Sequence, residues 1–183
     1  MTALSPCTCG PNGNCPADCP QRARTRPVND RVLGLDPGKT TGWCVYYGPE
    51  FPAAFGCHDL KGDDLGAQLT DFKHWLEDML ADHRPGILAL ERPFGRAAFT
   101  SDLPGTLCGV AHMVAHCQRT ARREFSASGL KKAITGAGRA PKGAVVAAVR
   151  DKFRIPVLTS HEADAAGVAI MAWNQAAQER TEA

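Results

Sequence analysis

The chain has 183 residues, 44% of them hydrophobic, and a formal net charge of +2. This length suits one globular domain with an appendage, and the apolar content is sufficient for a packed core. No stretch approaches the roughly 20 apolar residues of a membrane span, and the N-terminus lacks the basic-then-apolar pattern of a signal peptide. A cytoplasmic protein is therefore expected.

The first 29 residues are rich in Pro, Gly, Asn and Arg and show no apolar periodicity. We interpret residues 1–29 as an N-terminal extension outside the core. In a cytoplasmic protein, clustered cysteines favour zinc over disulfide bonds, and four thiolates satisfy tetrahedral zinc. The alternative is a flexible, redox-sensitive tail, because the spacings between the cysteines match no standard zinc finger. The candidate structural zinc ligands are Cys7, Cys9, Cys15 and Cys19.

Residues 30–178 alternate between short apolar runs and helical stripes. Short runs bounded by turn residues predict strands, and apolar residues repeating every three to four positions predict helices. We predict strands at 32–35, 42–47, 53–58, 87–91 and 124–126, and helices at 64–83, 103–120, 129–135, 142–153 and 161–178. This order predicts one α/β domain, a mixed five-stranded sheet flanked by α-helices, with residues 179–183 as a tail.

Three acidic residues stand at the ends of predicted elements. Asp36 ends the first apolar run, Glu91 ends the run at 87–91, and Asp164 opens the last predicted helix. One strand-terminal acid alone is weak evidence, because such residues also form turns. Two strand ends and a helix start that each present a hard oxygen ligand would form a pocket for Mg²⁺ or Mn²⁺. The arrangement indicates phosphodiester chemistry.

Positive charge is concentrated in one segment of the chain. Residues 119–154 contain ten Lys or Arg and two acids, a balance of +8, so the rest of the chain carries about −6. Such a local excess is typical of a surface that binds a phosphate backbone. The alternative is a solvated basic face, but beside an acidic pocket nucleic acid is the better explanation.

Four separated motifs resemble, in order, those of the RuvC-type Holliday junction resolvases, which have an RNase H-like fold. Residues 33–38 with 41–42 resemble the family's opening motif, and residues 91–94 resemble its second acidic motif. Residues 131–142 resemble its basic DNA-binding segment, and residues 161–166 its C-terminal metal motif. The resemblance implies catalytic and metal-binding roles for Asp36, Glu91, His161 and Asp164, and DNA-binding roles for Phe94, Lys131, Lys132, Arg139 and Lys142.

The implied mechanism uses two divalent ions per active site, Mg²⁺ or Mn²⁺, with Asp36 as the bridging ligand. Many family members have Asp where this chain has His161, although others use His. The spacing of three places His161 and Asp164 on one helix face, so His161 is either a metal ligand or a proton shuttle. Resemblance suggests that Phe94 stacks on unpaired bases; the alternative is a core phenylalanine.

We therefore expect a structure-selective endodeoxyribonuclease that cuts four-way DNA junctions by symmetric paired nicks. Two nicks require two active sites, so a homodimer is expected, with the predicted helix at 103–120 in its interface by resemblance. The alternatives are a relaxed nuclease that debranches flaps, forks and junctions, and a non-catalytic junction-binding module. The sequence leaves open whether a helicase partner exists and whether the host is a bacterial or a phage-infected cell.

If the four N-terminal cysteines bind zinc, freshly reduced protein should contain about one equivalent, since four thiolates close a structural site. Deleting residues 1–28 should remove that zinc and leave the domain folded, because the segment lacks an apolar pattern for packing. Elemental analysis and circular dichroism measure the two effects. Absence of zinc from the full-length protein would leave only a basic tail.

Overall fold

The computed structural model describes residues 31–92 and 103–182. Phe94 and the four N-terminal cysteines lie outside the described residues. Every strand and helix predicted above is present, with shifted ends. In chain order they are β1 (Val32–Asp36), β2 (Thr40–Tyr46), β3 (Ala54–Asp59), α1 (Leu65–His83), β4 (Ile87–Arg92), α2 (Leu103–Cys117), β5 (Ala121–Ser126), α3 (Ala127–Thr135), α4 (Lys142–Phe153) and α5 (Ser160–Glu182).

The strands form one sheet in the order β3-β2-β1-β4-β5. The β1–β2 and β2–β3 pairs are antiparallel, and the β1–β4 and β4–β5 pairs are parallel. The predicted mixed five-stranded sheet is thereby confirmed. Since Leu35 pairs with Leu90 in the parallel β1–β4 ladder, the next residues, Asp36 and Glu91, lie side by side at one edge of the sheet.

Each face of the sheet has its own buried apolar cluster, because successive strand side chains point to opposite faces. Leu33 and Leu88 belong to the cluster that includes residues of α1 and α2. Val32 and Ala89 belong to the cluster that includes residues of α3, α4 and α5. Asp36 and Glu91 are in phase with the second pair, so both acids lie on the face covered by α5.

Helix α5 crosses β1 and β2 at a distance that glycine alone permits. A Cβ atom on Gly34 would lie 2.2 Å from the carbonyl oxygen of Ala165, and one on Gly42 would lie 2.1 Å from that of His161. Gly42 pairs with Asp36 across the β1–β2 ladder. The missing side chains therefore bring the first turn of α5 onto the end of β1 that carries the acid.

The last helix is longer than predicted, and residues 179–182 of the predicted tail are its final turn. Arg123 of β5 donates two hydrogen bonds, of 2.9 and 2.6 Å, to the carboxylate of Glu179 and so ties this turn to the sheet. Although α5 has 23 residues, neither it nor any other helix in the described part of the chain is long and apolar enough to cross a membrane.

Two more boundaries differ from the predicted ones by three residues. β5 begins at Ala121 instead of residue 124, because the pairing with β4 starts at Ile87 opposite Ala121. α2 ends at Cys117 instead of residue 120. Arg119 adopts a left-handed conformation with φ of 55°, which terminates the helix. The apolar pattern placed the start of β5 and the end of α2 incorrectly. Polar strand residues and an arginine at a helix end do not interrupt or extend that pattern clearly.

Gly34→Ala should destabilise the protein by at least about 2 kcal/mol, because its Cβ would overlap backbone that cannot swing away. Urea unfolding followed by circular dichroism measures the change. Gly143→Ala in α4 is the matched control, because a Cβ there meets open space and alanine favours the helix by up to about 1 kcal/mol. Equal stabilities of the two variants would contradict the packing argument.

Candidate active site

The structure brings four of the predicted residues together at one edge of the sheet. Asp36 ends β1, Glu91 is next to the last residue of β4, and His161 and Asp164 lie in the first turns of α5. Nδ1 of His161 lies 2.8 Å from Oδ2 of Asp36, within hydrogen-bonding distance. Asp36 and His161 are 125 positions apart in the chain, so the cluster depends on tertiary packing.

Burial and mutual repulsion make the carboxyl groups reluctant to ionise. Burial, followed by the negative charges of Asp164 and Asp36, raises the pKa of Glu91 to about 7. Burial, followed by the negative charge of Asp36, likewise raises the pKa of Asp164 to about 6. A cluster of this kind favours a bound cation, since positive charge offsets both the repulsion and the lost hydration.

Two lysines supply positive charge to the same cluster. Lys131 of α3 and Lys142, the first residue of α4, both lower the pKa values of Glu91 and Asp164, although less than burial raises them. Each lysine therefore acts electrostatically on the acids. Lys132 and Arg139 belong to the same basic segment and are exposed. The structure thus brings two of the four described basic candidates to the acids and leaves the other two on the surface.

The first turn of α5 is fixed by a reciprocal cap that the sequence analysis did not identify. The Glu162 carboxylate accepts hydrogen bonds from the backbone N–H groups of Leu158, at 2.6 Å, and Thr159, at 2.8 Å. The Glu162 N–H donates to Oγ1 of Thr159, at 3.1 Å. The Thr-x-x-Glu pattern at 159–162 is a sequence signature of such a capping box. Glu162 is therefore committed to holding the turn that carries His161.

The cap also touches the sheet, through a contact between Sγ of Cys57 on β3 and Oγ1 of Thr159, at 3.6 Å. Thr159 thus joins the start of α5 to a third strand. Burial raises the pKa of the Cys57 thiol above its ordinary value. The hydrogen bond with Thr159 lowers this pKa in part, whereas nearby carboxylates, including Glu162 and Asp36, raise it. The neutral thiol is therefore favoured, and Cys57 serves as a contact of the cap.

The donor set suits a divalent metal ion by its chemistry. Three carboxylates offer the hard oxygen ligands that Mg²⁺ and Mn²⁺ prefer, and an imidazole nitrogen is acceptable to Mn²⁺. Within residues 31–92 and 103–182, however, no three His, Cys, Asp or Glu side chains are grouped closely enough to coordinate one ion. Ion binding would therefore require the carboxylates to converge.

Comparisons with known proteins agree with the fold. The family model described as "Crossover junction endodeoxyribonuclease RuvC" matches residues 32–172. The protein of that name from Shewanella frigidimarina is 32% identical over 145 residues, covering 76% of this chain and 84% of the relative. The RuvC structure from Thermus thermophilus superposes with a TM-score of 0.67 at 20% identity, covering 81% of this chain and 96% of that one. At 22% identity, the same protein in complex with a Holliday junction substrate also gives 0.67 and the same coverage.

In the absence of metal, the protein should lose stability as pH rises from about 5 to 8. Glu91 and Asp164 have raised pKa values in the folded chain, so the folded state holds more protons than the unfolded state over this window, and unfolding becomes easier as they are lost. In the Glu91→Gln variant, the decrease in the free energy of unfolding over this pH range should be smaller by on the order of 1–2 kcal/mol, allowing for the partial exposure of the carboxyl group.

Urea unfolding at several pH values in the presence of a chelator measures this effect. Glu50→Gln is the matched control, because Glu50 is exposed in the connection between β2 and β3. A wild-type stability that stays level or rises between pH 5 and 8 would contradict the electrostatic account. Identical pH dependence in wild type and Glu91→Gln would do the same.

Proposed function

This chain belongs to the RuvC family of crossover junction endodeoxyribonucleases, and we propose that it resolves Holliday junctions by symmetric paired nicks. The observation that supports this most directly is the cluster of Asp36, Glu91, Asp164 and His161 at one edge of the sheet, with two lysines beside it. A carboxylate cluster flanked by cations is suited to hydrolysing a phosphodiester bond. A bacterial or phage-infected cytoplasm, where such DNA occurs, is the expected location.

The four clustered residues would hold two Mg²⁺ or Mn²⁺ ions, with Asp36 as the shared ligand. When bound, the ions would make a water molecule nucleophilic and neutralise charge on the leaving oxygen. The raised pKa values of Glu91 and Asp164 mean that ion binding would compete with protons at these two groups. The extension at residues 1–29 would hold a separate, structural zinc ion through its four cysteines.

His161 would act in one of two ways, both of which use its contact with Asp36. As a ligand, its imidazole nitrogen would favour Mn²⁺ over Mg²⁺. As a proton shuttle, the ring would be oriented by the 2.8 Å contact between Nδ1 and Oδ2 of Asp36, which leaves Nε2 to exchange a proton with water or the leaving group. In either role, the capping box of Glu162 and Thr159 fixes the turn that carries His161.

The basic segment would hold the DNA backbone across this cluster. Lys131 and Lys142 are close enough to the acids to shift their pKa values, so a phosphate bound by them would lie next to the catalytic carboxylates. Lys132 and Arg139 are exposed and would extend the contact along the strand. Phe94 would stack on an unpaired base at the branch point.

Two nicks placed symmetrically in one junction require two copies of this site, so the acting form would be a homodimer. We assign α2 to its interface. Met113 on this helix is 50% exposed, and Gly109, one turn earlier, has open space around its Cβ position. An exposed apolar side chain beside a gap in the helix surface would allow a second copy of α2 to approach closely.

Asp36→Asn should lower cleavage of a synthetic four-way junction by at least roughly 100-fold, because the amide keeps the shape of the carboxylate but loses the charge that holds metal. Binding of the same junction should change little, since Asp36 contributes no positive charge to the DNA surface. Gel-based cleavage assays with Mg²⁺ and Mn²⁺, paired with binding measurements in the presence of a chelator, test both statements.

Asp78→Asn is the matched control, because Asp78 is exposed on α1, on the other face of the sheet. Cleavage by Asp36→Asn within a few-fold of wild type would overturn the assignment. Flaps and forks cut as fast as the four-way junction would indicate a relaxed debranching nuclease. Junction binding without cleavage by the wild-type protein in either metal would indicate a non-catalytic binding module.

A further inference from the structure

A second cluster of positive charge lies at the other end of the sheet from the carboxylates. A cavity of about 440 Å³ opens where α1 and α2 end and β4 and β5 begin. Its polar lining residues are Arg84, Gln118, Arg119 and Thr120, and no acidic residue lines it. This composition differs from that of the carboxylate site and is suited to an anion.

Neither guanidinium group has a hydrogen-bond or ion-pair partner within residues 31–92 and 103–182. Both arginines follow helix ends in the left-handed conformation, with φ of 46° at Arg84 and 55° at Arg119. Positive charge is favourable at a helix C-terminus, which accounts for an arginine at each position. Among the described residues, the donor groups of both side chains are available to a ligand. Two like charges lining one cavity repel each other, and a bound anion would remove that cost.

The surroundings of the cavity favour a polyanion from outside the chain. The N–H of Gly86, which lines the cavity, donates a 2.9 Å hydrogen bond to the carbonyl oxygen of Arg31. Arg31, which follows the N-terminal extension in the sequence, therefore lies beside the cavity. The last ten residues of the extension, 20–29, contain Arg22, Arg24 and Arg26 and no acid. This basic sequence precedes Arg31 in the chain, and no acidic residue lines the cavity. A phosphate backbone therefore suits these surroundings better than the protein's own carboxylates.

We propose that Arg84 and Arg119 form a second phosphate-binding site, which holds a DNA arm away from the branch point. The proposal rests on the proposed function, which makes branched DNA the substrate. Guanidinium groups bind phosphate oxygens through two parallel hydrogen bonds. The four residue steps from Ile87 to Glu91 cover about 13 Å, equivalent to about four base pairs along a duplex. An arm that leaves the carboxylate site could therefore reach the cavity within half a helical turn.

The test compares the salt dependence of junction binding among variants of the full-length chain, each carrying Asp36→Asn to prevent cleavage. The double variant Arg84→Gln/Arg119→Gln should make the plot of log affinity against log salt shallower by up to about 1.8, since each phosphate contact contributes about 0.9. Arg84→Lys/Arg119→Lys should keep most of the slope, because it keeps both charges.

Lys61→Gln is the control. Lys61 is exposed in the connection between β3 and α1, outside the basic segment at 119–154, and it does not line the cavity. Circular dichroism and thermal unfolding confirm that each variant is folded. Equal slopes for Lys61→Gln and the double Gln variant would overturn the proposal, as would a double Lys variant that loses as much slope as the double Gln variant.

Two further results separate the site from its alternatives. Unchanged junction binding by the double Gln variant, combined with lost binding of a polyglutamate peptide, would overturn the DNA assignment in favour of an acidic protein partner. Junction cleavage by the chain without Asp36→Asn is measured in parallel. Normal cleavage with no slope difference would overturn the second site alone, whereas the expected slope difference without cleavage would overturn the nuclease function alone.

Discussion

The backbone of α5 rests directly on β1 and β2, and the candidate active site depends on this contact. Gly34 and Gly42 leave no room for a Cβ atom, since one would lie 2.2 Å or 2.1 Å from a carbonyl oxygen of the helix. Any side chain at these positions would push the first turns of α5 away from the sheet. That displacement would separate His161 and Asp164 from the acid at the end of β1. The two glycines therefore determine the distance between the clustered side chains without belonging to the cluster.

The close approach has an electrostatic consequence. It buries Glu91 and Asp164 beside Asp36, where lost hydration and mutual repulsion raise the pKa values of Glu91 and Asp164 to about 7 and 6. Lys131 and Lys142 offset part of this cost, and the Asp36–His161 contact engages one carboxylate oxygen. The remaining deficit of positive charge is what a divalent ion would supply. The same packing that assembles the cluster therefore makes it a favourable place for cations.

Positive charge occupies both ends of the parallel strands, in different settings. At the carboxyl ends, Lys131 and Lys142 stand beside acids whose pKa values they lower. At the amino ends, Arg84 and Arg119 line a cavity without acids. A phosphate near the lysines would lie next to the clustered carboxylates, whereas a phosphate near the arginines would only be held. A branched DNA has arms that extend beyond the point of cleavage, so the two kinds of contact would be compatible on one substrate.

The amino-acid sequence by itself determined the elements and the identity of the four clustered residues. Apolar periodicity is a local property, so strands and helices could be predicted from it, with errors where the chain is polar, as at the start of β5 and the last turn of α5. The acids at 36, 91 and 164 could be found because each stands at the end of such an element. The Thr-x-x-Glu pattern of the cap was equally available in the sequence and was missed.

Only the tertiary structure decided which of these residues meet. The parallel register of Leu35 with Leu90 makes Asp36 and Glu91 neighbours, and the glycines of β1 and β2 bring α5 to them. Arg84 and Arg119 converge on one cavity although 34 residues separate them in the chain. The physical reason is that such contacts depend on how whole faces of helices and sheets fit together. A local pattern records which face a residue occupies, but not which surface will cover it.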